Sequence, residues 1–156
     1  MPKKYILNDI ISEDSIYLIG INSILNDYQL VYKLNKELNL NFVRSKKDID
    51  LTKEKAYFSH FISKNKSKEI ICDFFSNKFK KVSSTNKLNK HNLFDSPLSK
   101  EVYLLKEYKE ADYFIKSTDQ KDRQQLINYI RKIPQMSIIY NIDSHEIKNK
   151  ENLIFN

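Results

Sequence analysis

Ala56-Tyr57-Phe58-Ser59-His60-Phe61-Ile62-Ser63 and Glu69-Ile70-Ile71-Cys72-Asp73-Phe74-Phe75 are two aromatic and β-branched runs joined by Lys64-Asn65-Lys66-Ser67-Lys68. Such residues favour a pleated, half-buried surface, and a polar connector between two such runs is the pattern of a β-hairpin. In the second run Ile70, Cys72 and Phe74 share one face, and Ile71, Asp73 and Phe75 share the other.

Working outward from this hairpin, Glu101 to Tyr108 and Ala111 to Lys116 resume as strands. Ser117-Thr118-Asp119 then offers caps for a helix reaching Ile133, with Leu126, Ile127, Ile130 and Ile133 as its buried stripe and Pro134 as its stop. Met136, Ile138, Tyr140 and Ile142 alternate with Ser137, Ile139, Asn141 and Asp143, which predicts one half-buried strand. Upstream, Lys4 to Leu7 reads as an edge strand and Asn41 to Arg44 as a short one. Between them Ser23 is the expected N-cap of a helix whose stripe is Ile24, Tyr28, Val31, Leu34 and Leu38, with Asn39 ending it. The order β-α-β-hairpin-β-β-α-β predicts an α+β fold, a mainly antiparallel sheet of about five to six strands covered by two helices. No internal repeat is present.

The 156 residues suffice for a single domain with its own core, and 40% hydrophobic against 30% charged residues is a globular balance. Residues 76–100 break the pattern. They are rich in Lys, Asn and Ser, lack a sustained apolar period, and are expected to form a basic low-complexity loop or insertion.

This stretch also explains the charge. The net +7 suggests an anionic partner, but residues 76–100 carry six lysines against Asp95 alone, and the flanking parts are close to neutral. One Gly, three Pro and three Arg stand beside abundant Lys, Asn, Ile, Tyr and Phe, the signature of an AT-rich genome in which Lys collects on surfaces without selection for a ligand. The single cysteine, Cys72, excludes an internal disulfide framework and a Cys-rich zinc site. The apolar stretch Ile16 to Leu25 is about half the length of a membrane helix, and no signal-peptide core follows Lys3-Lys4. A cytoplasmic location without membrane attachment is the expectation.

Chemistry-bearing motifs are sparse. The lone glycine, Gly20, excludes the Gly-rich nucleotide cradles, and HExxH and CxxC are absent. His60, His91 and His145 are scattered, so neither a metal nor a cofactor is expected. Cys72 reads as a small buried hydrophobe, and Asp143, beside Ser144 and His145, as a turn-former after a strand rather than part of a triad. Asp27 falls beside the apolar stripe, where a carboxylate needs a donor to remain comfortable as an anion. Glu107, Asp112 and Tyr113 form the one compact acidic–aromatic cluster. Paired carboxylates can divide acid and base roles, although turn-capping and ladder-end work is the commoner use. No catalytic residue is assigned; Asp27, Glu107, Asp112 and Tyr113 are the set to test.

Leu105-Lys106-Glu107-Tyr108-Lys109-Glu110-Ala111-Asp112-Tyr113 resembles the signature of the bacterial IPExxxVDY family of small proteins. Glu107, Asp112 and Tyr113 match outright, Leu105 and Ala111 are mild changes, and Lys106 replaces the proline. Leu18-Ile19-Gly20-Ile21, Asp27-Tyr28 with Leu30, Leu34-Asn35, Ser76-Asn77-Lys78, and the ending from Ile142-Asp143 through Ile147-Lys148 to Lys150-Glu151-Asn152-Leu153-Ile154-Phe155 also resemble it, in the same order. The resemblance implies no activity, cofactor or partner, and the acidic character common among members weighs against nucleic acid as the ancestral ligand.

Two functions are therefore carried forward. The first is a non-enzymatic protein-interaction or accessory domain, whose apolar tail Leu153-Ile154-Phe155 docks on its own sheet or on a partner. The alternative is weak, non-specific RNA or DNA binding through Lys78, Lys80, Lys81, Lys87 and Lys90, with Phe79 and Phe94 stacking on bases.

Overall fold

The computed structural model describes residues 16–38, 40–65, 70–82 and 99–155. In chain order these form β1 (Tyr17–Ser23), α1 (Asp27–Leu38), β2 (Val43–Arg44), β3 (Ile49–Leu51), β4 (Ala56–Phe58), β5 (His60–Asn65) and β6 (Ile70–Ser76). There follow β7 (Lys78–Val82), β8 (Ser99–Tyr103), β9 (Tyr113–Ser117), α2 (Gln120–Ile130) and β10 (Met136–Asp143). Single 3-10 turns occupy Lys106–Tyr108, Ser144–Glu146 and Lys150–Leu153.

The hairpin is present. β5 and β6 pair antiparallel with Phe61 opposite Phe74, and they sit inside a six-stranded sheet of order β10-β1-β9-β6-β5-β2 in which every pairing is antiparallel. The fold is α+β, as expected.

Alternation along β6 distributes its side chains between two cores. Cys72 and Phe74 join Ile19, Ile21 and Ile115 beneath the buried faces of α1 (Leu30, Val31, Leu34) and α2 (Leu126, Ile127, Ile130). Phe75 points the other way and joins Leu18, Phe114 and Ile142 under a second layer. That layer comprises the β3–β4 hairpin, the β7–β8 ribbon with the segment that follows it, and the C-terminal turns, which contribute Phe58, Val102, Leu104, Leu105, Ile147 and Leu153. The tail therefore docks on its own sheet. Leu153 is buried and Phe155 packs on His60 and Phe75, while Ile154 is exposed.

Several boundaries differ from expectation, each for a local reason. Ser23 does not cap α1. It closes β1 opposite Met136, and its Oγ donates to the Gln135 carbonyl, so the chain stays extended past it. Asn26 caps instead: its Oδ1 accepts from Gln29 N–H while Gln29 Oε1 accepts from Asn26 N–H, a reciprocal capping pair. The later start leaves Ile24 outside the helix, 90% exposed, and the buried face centres on Leu30, Val31 and Leu34, which puts Tyr28, 62% exposed, at its margin. Ala56–Ser63 is not one strand. It breaks at Ser59, whose N–H and carbonyl bond to Ser76, leaving β4 to pair with β3, a strand with no forecast.

Both ends of the basic segment 76–100 are strand. Residues 78–82 and 99–103 pair as an antiparallel ribbon, and Ala111–Lys116 narrows to β9. Lys4–Leu7 lies outside the described residues, as do residues 83–98. The α2 helix ends at Ile130 rather than Ile133, although Ile133 is still buried in the turn beyond it. No helix among the described residues is long and apolar enough to cross a membrane.

β10 holds the largest departure. Gly20 pairs with Tyr140 but Ile21 pairs with Ile138, so Ile139 is an extra residue and the strand bulges there. The bulge reverses the alternation: Met136 and Ile138 pack in the helix-side core, Tyr140 and Ile142 in the opposite one.

Gly20 lies beneath the crossover. A Cβ built on it would stand 3.0 Å from Tyr140 Cδ2 and 3.2 Å from Phe114 Cε1, so the glycine serves close ring approach. Overpacking of this kind costs about 1–3 kcal/mol, more than the roughly 0.5–1 kcal/mol a strand gains on replacing Gly by Ala. Gly20→Ala is therefore expected to lower unfolding stability by about 1 kcal/mol. In a Tyr140→Ala background the same change should become neutral or stabilising. Additive denaturation energies in this double-mutant cycle would contradict the contact.

Candidate functional site

Asn77 is fully buried where β6 hands over to β7, a place where the chain leaves one sheet for another and backbone groups lose their ladder partners. Its Nδ2 donates to the carbonyls of Tyr108 (2.9 Å) and Ala111 (3.0 Å), and its Oδ1 accepts from Leu105 N–H (2.8 Å). Its own N–H donates to the Asp112 carbonyl and its carbonyl accepts from Leu104 N–H. One amide thus closes the loop from Leu104 to Asp112. Sequence reading gave Asn77 no role beyond its place in the family resemblance.

Asp112 sits beside it. Oδ2 accepts from Asn22 Nδ2 (2.8 Å) and Ser23 N–H (3.0 Å), Oδ1 accepts from Lys78 Nζ (2.7 Å), and the Asp112 N–H donates to the Ile21 carbonyl. The carboxylate ties the end of β1 to the start of β7. Tyr113 stacks on Phe74 at 5.2 Å and donates its hydroxyl to the Leu25 carbonyl, 2.9 Å away. Burial, reinforced by the nearby Asp27 and Asp112 carboxylates, pushes this phenol up to about 12.

Glu107 does not converge with Asp112. The turn between them forms, but Glu107 accepts from Lys148 N–H (3.2 Å) and Asn149 Nδ2 (3.4 Å), holding the C-terminal segment against the Lys106–Tyr108 turn. Asp27 accepts from Tyr28 N–H at 2.8 Å in the first turn of α1, the donor its position called for. Asp27, Asp112 and Tyr113 do line one open cleft of about 380 Å³ with Asp48, Ser59, Ser76 and Lys78. The cleft's carboxylates are already served, Asp48 by Arg44 and Asp112 by Lys78.

A second titratable cluster lies at the sheet's other face. His60 Nε2 is 2.7 Å from Asp73 Oδ1, both groups buried, and Lys116 Nζ is 4.0 Å from Asp73 Oδ2. Lys116 donates to the Leu153 carbonyl and lies over the Phe155 ring, so the cluster fastens the tail. Burial lowers the Lys116 ammonium below its ordinary value, with Asp73 opposing. Alternation had placed Asp73 opposite Cys72, but pairing it with His60 required the hairpin register.

The remaining candidates are structural. Cys72 is buried, and desolvation lifts its thiol to about 11, far from a thiolate nucleophile at neutral pH. Asp143 ends β10 at the entry to the Ser144–Glu146 turn, and its carboxylate, rather than capping that turn, accepts from Arg123 of α2, whose guanidinium also covers the Tyr17 ring. Asp143, His145 and Glu146 bring possible metal-ligand atoms within 4.8 Å of one another, a convergence their spacing did not suggest. Arg123 already neutralises the Asp143 carboxylate there, and His145 and Glu146 are exposed.

Of the nucleic-acid set, Lys78 is bonded to Asp112, and Phe79 packs edge-on against Tyr57 and Phe58, both at 6.3 Å. Lys80 and Lys81 are exposed, while Lys87, Lys90 and Phe94 lie outside the described residues.

Comparison of the chain with family models, with curated proteins and with solved structures finds no match.

Two outcomes test this assignment of roles. Asn77→Asp is isosteric but turns a donor into an oxygen facing two carbonyls; unfolding in urea should show a loss of about 3–4 kcal/mol. A loss under about 1 kcal/mol would remove Asn77 from the junction. For Tyr113 the folded phenol titrates near 12 and the unfolded one near 10, so its contribution is complete below pH 10 and disappears as pH rises toward 12. The stability gap between the natural chain and Tyr113→Phe should accordingly be constant up to about pH 9.5 and shrink above it. A gap that widens there would contradict the buried hydroxyl.

Proposed function

We propose that this protein is a non-enzymatic interaction domain of the cytoplasm, and that its recognition surface is the outward face of α1. One contrast carries the reading. The carboxylates singled out as catalytic candidates are bound by the chain's own donors, whereas large apolar side chains of the α1 region stand in solvent. Tyr28 and Tyr32 lie one turn apart on the same face, 62% and 67% exposed, and Ile24 precedes them in the entering turn. Arg44 NH1 donates to Tyr28 Oη at 3.1 Å, and its guanidinium also lies 5.3 Å from the centre of the Phe61 ring. Tyrosine and arginine are over-represented among residues that dominate protein–protein binding, because each offers a large flat contact with a polar edge.

Membership of the IPExxxVDY family belongs to the same reading. What supports it is that Glu107, Asp112 and Tyr113 all hold structural positions around one loop, as a signature kept for architecture would require. The nucleic-acid alternative has less support, because Lys78 and Phe79 are committed within the fold.

The test places a photo-crosslinking residue at Tyr32 in the full chain, in its native cell, with the exposed α2 position Gln125 as control. An adduct of one defined mass is expected at position 32, absent at 125 and abolished by Tyr28→Ala, while the fold keeps its thermal midpoint within a few degrees. Equal labelling at both positions, or none at 32, would reject the surface.

A further inference from the structure

We infer that the outer edge of β10, which has no strand partner among the described residues, is a self-association site, on which a second copy of this chain pairs its own β10 antiparallel about a two-fold axis. β10 is the terminal strand of the six-stranded sheet, bonded on one side to β1. Among the described residues, the backbone groups of Ser137 to Ile142 find no partner beyond β1. Natural proteins blunt such edges with charge, proline or extreme shortness. The opposite edge follows that practice, since β2 has two residues, one of them Arg44. β10 has eight, and Met136-Ser137-Ile138-Ile139-Tyr140-Asn141-Ile142 contains neither charge nor proline. The bulge at Ile139 is its one blunting device.

The occupant follows from symmetry. When a strand pairs with its own copy, each residue meets one from the same short segment, so any charge within it would be brought close to its like. A segment free of charge avoids that penalty. Its flanks are of opposite sign: Arg131 and Lys132 precede β10, and Asp143 and Glu146 close it. An antiparallel pairing centred near Ile138–Ile139 brings the basic flank of each copy toward the acidic flank of the other. Arg123 takes up much of the Asp143 charge, which leaves the exposed Glu146 as the main acidic partner. A foreign strand would need to supply both complements; a second copy supplies them by construction.

Sedimentation equilibrium of the full chain should show monomer near about 1 μM passing to dimer toward about 500 μM. Hydrogen exchange at alternate amides of Ser137–Ile142 should slow with the same concentration dependence. Ile139→Lys, which sets two ammonium groups beside the axis, is expected to raise the dissociation constant at least about tenfold. Asn141→Lys, at an exposed position, gives the same reading should the first variant unfold. A monomer at all concentrations overturns the proposal. So does protection of these amides that is independent of concentration, which would mean that another part of the same chain covers the edge. A dimer unaffected by either lysine would place the contact elsewhere and overturn it equally.

Discussion

The fold depends on how one buried crossover satisfies its backbone. After β6 the chain leaves the central sheet for the β7–β8 ribbon, and it returns through Leu104–Asp112 to enter β9 beside β6 again. Crossovers of this type expose N–H and C=O groups that have no ladder and no water, each costing about 1–3 kcal/mol if left bare. Asn77 meets that demand with one side chain because its amide both donates and accepts, so it can stand in for a strand on two sides at once. Asp112 then links the same point to β1 and Lys78. This junction fixes the point at which the ribbon leaves the central sheet and rejoins it.

The composition bears on how the rest is achieved. With a single glycine, the chain fills turns with residues that tolerate them poorly: Lys55 takes a φ of 50° in the β3–β4 hairpin. The glycine stands instead where two aromatic rings press on β1. Lysines are similarly reused. Lys78 and Lys116, which count toward the net positive charge, serve as donors to Asp112 and to the tail carbonyl of Leu153. A lysine in this sequence is therefore a poor guide to a charged ligand, since these two are held by the fold's own acceptors.

That division shapes the functional reading. Carboxylates that looked catalytic by proximity in sequence are consumed as latches, Glu107 for the C-terminal segment and Asp112 for the junction. The proposed contacts instead use two surfaces among the described residues, the tyrosine-bearing face of α1 and the uncharged edge of β10. Both suit protein contacts, and they lie on different elements, so neither excludes the other.

Local periodicity alone determined a good deal. The β5–β6 hairpin, the buried stripe of α2 and the α+β class all follow from alternation and three-to-four spacing, because those patterns reflect backbone geometry within a few residues. The tertiary structure decided whatever depends on partners distant in sequence. Ile24 and Tyr28 fit an apolar stripe, yet pairing of Ser23 with β10 keeps Ile24 out of the helix, and packing buries a face centred on Leu30, Val31 and Leu34 that leaves Tyr28 at its margin. The even-numbered residues of β10 look like one face, yet a single extra residue against β1 sends them to two cores. Asn77 and the His60–Asp73 pair carried no local signal, since a buried polar side chain is stable only through partners that the fold brings to it.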